Sequence, residues 1–102
     1  MSVANIDIGK DFSLYLGPRF KKDGQSSGEK FRVEILEPSF LANETIVIHL
    51  DSLEGYTVSF FEEAFGGLVR QYGYERVAQS MQFVSVKREY LIEHIKRWMR
   101  EA

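Results

Sequence analysis

The stretch LDSLEGYTVSFFEEAFGGLVRQYG, Leu50 to Gly73, decides the fold. It reads as the end of a buried strand, a turn and a helix. Ser59 stands where an N-cap belongs, and Glu62 three residues on completes an S-x-x-E capping box. Phe61, Ala64, Phe65, Leu68 and Tyr72 then recur at helical spacing, which predicts a helix over 59–72 with Gly73 as its stop. Gly66 and Gly67 interrupt this pattern, each costing roughly 1 kcal/mol relative to alanine. Either the helix backbone packs closely on the sheet or a neighbouring helix, or a flat surface is left for another protein. Successive helical positions differ by about 100°, so one glycine can face inward while the other faces out.

Working outward, ETIVIHL over 44–50 is β-branched and apolar on both faces, as suits a central strand covered on both sides. Before it, Ser26 and Glu29 form a second capping box, and Phe31, Ile35 and Leu36 give a helix over 27–41 its apolar face. Pro38 is expected to end or kink that helix near Glu37. Downstream, Tyr74 to Ser80 suits a short helix or a turn. MQFVSV over 81–86 suits a last strand, and 88–101 an amphipathic helix with Leu91, Ile92, Ile95, Trp98 and Met99 inward. At the other end, residues 1–16 hold two short edge strands, Asn5 to Ile8 and Phe12 to Leu16, followed by an exposed loop over 17–28. Strands alternating with helices predict a single α/β domain, 1–102, with a parallel or mixed sheet and right-handed crossovers.

The chain has 102 residues, is 44% hydrophobic and 14% aromatic, and carries a net charge of -2. That is enough apolar material for a core, and too little positive charge for a nucleic-acid surface. There is no cysteine, no leader-like start and no apolar run long enough to span a bilayer, so the expectation is a cytoplasmic protein with no membrane partner. Tyr72, Tyr74 and Trp98 fit a dimer contact or a core equally well, which leaves the oligomeric state open.

Candidate chemistry is sparse. His49 and His94 are the only histidines; His49 and Asp51 share one side of a strand and suit a structural hydrogen-bonded pair. Glu62 and Glu63 occupy the first helical turn, where negative charge meets the positive end of the helix dipole. Neither a nucleophile–base pair nor a metal-ligand set stands out, so no enzyme activity, metal or cofactor is expected. The loop GPRFKKDGQSSGEK lacks the G-x-x-x-x-G-K-[ST] order of a phosphate loop. Arg19, Lys21 and Lys22 nevertheless lie near the Ser26–Ser27 helix start. Their grouping is read either as an ordinary capped loop or as a generic anion site that would serve a small-molecule or nucleotide binder. Ser59 likewise has two readings: a cap, or a hydroxyl presented near the surface for a partner or for modification.

Ser27-Gly28-Glu29, Phe31-Arg32, Pro38, Gly55-Tyr56 and above all Ser59-Phe60 with Glu62-Glu63-Ala64-Phe65-Gly66-Gly67-Leu68-Val69-Arg70 resemble the bacterial STAS-like domains of unknown function, over roughly Arg19 to the C-terminus. That family is named for its similarity to the STAS domain of anti-sigma factor antagonists. The resemblance implies a mixed sheet of four to five strands with three to four helices mainly on one face. It also implies a non-enzymatic regulatory module that docks a protein partner, a histidine-kinase-like ATPase. The implied surface is Gly55, Tyr56, Thr57 and Ser59 with Glu62, Glu63 and Gly66, Ser59 resembling the phosphoacceptor and Thr57 its neighbour.

Overall fold

In the computed structural model, which describes residues 2–102, three strands pair in the order of the chain. They are β1 (Val3–Asp7), β2 (Thr45–His49) and β3 (Met81–Val84), and both pairings are parallel. The register sets Val3 against Thr45 and Ile46 against Met81. The sheet is therefore smaller than the four to five strands that the resemblance implied, and it takes the parallel form, one of the two that the alternation of strands and helices allowed. Met1, the first residue of the expected 1–16 edge segment, lies outside the described residues.

Among the described residues five α-helices complete the fold, with one 3-10 turn at Lys21–Asp23. After β1 comes a single helical turn, α1 (Ile8–Asp11), because the Asp7 carboxylate accepts the Lys10 N–H and Asp11 accepts that of Asp7. The second expected edge strand, Phe12 to Leu16, is reduced to one bridge between Tyr15 and Gly55. Helix α2 runs over 28–42 as Gly28–Phe31, a wide π turn Arg32–Leu36, and Glu37–Ala42. Pro38 does not end it: the wide turn just before absorbs the missing donor, so the helix continues for another turn.

Helix α3 has the same construction over 58–72: Val58–Phe61, a π turn Glu62–Gly66, and Gly67–Tyr72. Gly73 closes it with φ of 93°, and its N–H donates to the Val69 carbonyl at 2.7 Å; a side chain would be strained there. Helix α4 (Tyr74–Ser80) follows at once, and α5 (Glu89–Glu101) ends the chain.

The alternating side chains of the strands explain the layering. Ile6, Ile46, Ile48 and Met81 are buried beneath the helices, while Val3, Asn5, Gln82 and Val84 on the other face are exposed. β2 is central in the sheet, as its composition suggests, yet it is covered on one face only. Val47 and His49 are half-buried on the other, and His49 Nε2 meets Asn5 Oδ1 at 3.0 Å rather than Asp51. Asp51 instead serves the turn before α5, where it accepts the Ser85 hydroxyl at 2.6 Å and the Val86 and Lys87 N–H groups. In the core, Phe31, Phe60, Phe61 and Phe65 are fully buried, with Phe12 and Phe83 packed against them at 5.3–5.9 Å between ring centroids.

Candidate functional site

The start of α3 is built by Thr57, not by Ser59. Thr57 is extended, its hydroxyl accepts the Phe60 N–H at 3.0 Å, and the same hydroxyl donates to the Gly17 carbonyl at 2.7 Å. One side chain thereby caps the helix and ties down the loop from residue 17 onward. The S-x-x-E pattern at Ser59 pointed two residues too late because the tertiary bond to Gly17 makes Thr57 the better cap. Ser59 is left at the second helical position, half-buried, with no side-chain hydrogen bond among the described residues. Gly55 is held on both sides by the backbone of the Leu14–Leu16 segment, and the Tyr56 hydroxyl lies 3.2 Å from that of Tyr90 on α5.

The α2 start shows a similar one-residue correction. The fully buried Ser27, not Ser26, is the cap: its hydroxyl accepts the Lys30 N–H at 3.0 Å. The preceding donors, Gly28 N–H and Glu29 N–H, are taken by the carbonyls of Pro18 and Arg19 at 2.9 and 3.0 Å. Ser26 takes up the turn with φ of 56°. The alternative reading as an anion site therefore finds its helix donors already used by protein acceptors, as in the ordinary capped loop. Its cations are dispersed: the Lys21 ammonium lies 3.8 Å from Glu34, Lys22 lies over the Phe20 ring, and Arg19 turns away to α3.

Arg19 joins a cluster that the linear sequence does not reveal. Glu62 is paired with Arg19 and with Arg70, the latter at 2.6 Å. Glu63, buried, takes a hydrogen bond from Arg32 at 2.8 Å, with Arg70 and Arg19 at 3.6 and 3.7 Å. Burial disfavours ionised Glu62, but hydrogen bonds from Arg70 and Arg19 outweigh it and hold the carboxyl below the usual range. Arg70 is correspondingly raised, chiefly by its bond to Glu62.

The two glycines make room for this cluster. A Cβ on Gly66 would lie 2.7 Å from Glu62 Oε2, and one on Gly67 2.7 Å from Arg32 Nε. Both glycines are buried, so the flat outward surface is not found; Gly67 instead shows the close packing on a neighbouring helix, since what it faces is Arg32 of α2. Glu62, Glu63 and Gly66 thus belong to an ionic clasp between α2, α3 and the loop rather than to an exposed surface.

Beside the α3 start lies a different surface. Val58, 57% exposed, and Tyr90, 55% exposed, border a groove of about 350 Å³ completed by Tyr56, His94 and Trp98. His94 and Trp98 stack at 5.9 Å between centroids. Among the described residues no group of three or more His, Cys, Asp or Glu could hold a metal, and no helix is long and apolar enough to cross a membrane.

A family model described as a STAS-like domain of unknown function matches residues 27–91, which takes in both π-turn helices and the clasp that joins them, apart from Arg19. The chain belongs to this family. The match begins at Ser27, the α2 cap, and ends at Leu91 in the first turn of α5, so β1 and most of α5 lie outside the matched residues. No curated protein and no solved structure matches the chain.

Proposed function

We propose that this STAS-like domain is a non-enzymatic bacterial regulatory module that docks a protein partner, a histidine-kinase-like ATPase, through the turn before α3 and its first residues. The observation that carries this reading is the division of labour at the helix start. Thr57 performs the capping, so the half-buried Ser59 hydroxyl is not needed for it, and its neighbour Val58 is exposed at the border of the aromatic groove. An apolar residue exposed at a first helical position contributes little to the fold, whereas central apolar and aromatic anchors dominate protein interfaces.

In this reading Ser59 is the switch. Phosphate there would sit one helical turn before Glu62, repelling it and competing for Arg19. The test uses the histidine-kinase-like ATPases of the source organism, purified one by one, with calorimetry and incubation with radiolabelled ATP. Binding by one of them that falls about thirtyfold on Val58→Asp, the size of a 2 kcal/mol hot spot, is expected. Transfer of label that Ser59→Ala abolishes is expected with it. Wild-type affinity in folded Val58→Asp, Ser59→Ala and Ser59→Glu would refute the docking surface and the switch together.

A further inference from the structure

The free edge of β3 lies on the other flank of α5 from the groove at Tyr56 and Val58. β3 pairs with β2 on one side only. The Leu50 N–H donates to the Val84 carbonyl at 3.1 Å, and the alternation along a parallel ladder then turns the Phe83 N–H and C=O away from β2. Two hollows follow this edge on the helix-covered side. The first, about 250 Å³, has Met81, Phe83 and Met99 as its apolar wall, with Tyr74 and Lys96 at its polar side. The second, about 520 Å³, lies between Phe83 and Ser85 and is bordered by Glu89 and Glu93. Lys96 separates the two hollows. Glu89 and Glu93 are exposed, and neither is ion-paired among the described residues; against the one ammonium of Lys96 they leave the second hollow with a single net negative charge.

Unpaired main-chain groups flanked by two side-chain hollows are what strand addition requires: the ladder supplies affinity and the alternate side chains supply selectivity. We propose that the β3 edge accepts an extended segment of another protein as a fourth strand. That segment carries an apolar side chain in the first hollow and, two residues away, a lysine or arginine facing Glu89 and Glu93. The spacing of two follows from the pleat, which sends alternate residues to one face. The charge follows from the two unpaired carboxylates.

The experiment is selection of a phage-displayed library of random linear peptides on the full chain, with counter-selection on the exposed double variant Glu89→Lys/Glu93→Lys. Its fold is checked by an unchanged melting temperature. Enriched sequences are expected to share an apolar and a basic residue two positions apart. The matching synthetic peptide should bind about tenfold more weakly to the double variant. It should lose binding when its ladder amides are N-methylated, and it should slow amide exchange at Phe83. Absence of enrichment over the variant overturns the proposal, as does equal binding of N-methylated and unmodified peptides. A dimer in sedimentation that dissociates on Glu89→Lys/Glu93→Lys assigns the edge to a second copy of the chain and also overturns it.

Discussion

Replacing Gly67 by alanine tests the ionic clasp directly, because the usual helix rule and the structure predict opposite signs. Inside a helix alanine is favoured over glycine by about 1 kcal/mol. Here the new Cβ would lie 2.7 Å from Arg32 Nε and 3.1 Å from its Cδ, so the guanidinium must move. The Arg32 Nε is buried without a hydrogen-bond partner, and its side chain is only 16% exposed, so there is little room to retreat. Moving it forfeits the bond to buried Glu63, and a hydrogen bond to a charged group contributes roughly 1.5–3 kcal/mol. Arg70 and Arg19 remain near Glu63 and soften the loss. The net expectation for Gly67→Ala is a destabilisation of about 0.5–2 kcal/mol, or a fall in Tm of roughly 2–15 °C for a domain of this size. The assay is urea unfolding of Gly67→Ala, Arg32→Ala and the double variant. With Arg32 shortened the obstacle is gone, and Gly67→Ala should then stabilise by roughly 0.5–1 kcal/mol, a reversal of sign. Stabilisation by the same amount in both backgrounds would refute the steric account of the glycine.

Three further outcomes follow from the same geometry. Thr57→Ala should cost about 1 kcal/mol in urea unfolding, as loss of a working cap does, and Ser59→Ala no more than a few tenths; the reverse ranking would return the cap to Ser59. Gly28→Ala should destabilise by about 1–3 kcal/mol, since its Cβ would press on the Phe60 backbone and approach Glu63 Cβ to 3.1 Å; an unchanged unfolding midpoint would show that α2 and α3 do not meet there. Asp51 and Glu62 are both held below their ordinary range: Asp51 chiefly by the Ser85 hydroxyl and the Val86 N–H, Glu62 by its two arginines against the effect of burial. Groups depressed in this way stabilise the fold fully above their unfolded values near pH 4 and stop doing so as pH falls through the folded ones. The urea midpoint should therefore drop between about pH 5 and pH 2, and Asp51→Asn should flatten that limb.

Much of this arrangement was legible where local rules and packing agree. Phe61, Ala64, Phe65 and Leu68 fixed the buried face of α3, and β-branched residues marked β2 and set it at the centre of the sheet. The errors arose where distant residues decide a local outcome. Ser26 and Ser59 satisfy the capping pattern as written, yet Ser27 is buried and Thr57 reaches Gly17, and those tertiary contacts moved both caps. Phe12 to Leu16 alternates like a strand, but the helical turn that Asp7 caps redirects the chain before a ladder forms. The ionic clasp was the least visible part. Arg32 of α2 meets Glu63 of α3 only when the two helices pack, and nothing along the chain announces that Gly67 is small for the sake of an arginine.

The all-parallel sheet has a consequence for how the chain reaches its native state. No strand here can pair with its neighbour through a hairpin: β1 must wait for Thr45–His49, and those residues for Met81–Val84, with α2 or α3 lying in each interval. Contacts of such long sequence separation slow folding, because loop closure comes before its reward. On a ribosome β1 emerges before β2, and the pairing of these three strands is completed only after β3 has left the exit tunnel. Helices α2 and α3, joined by Arg32 and Glu63, are the part of the molecule that can assemble first and hold the strands' places.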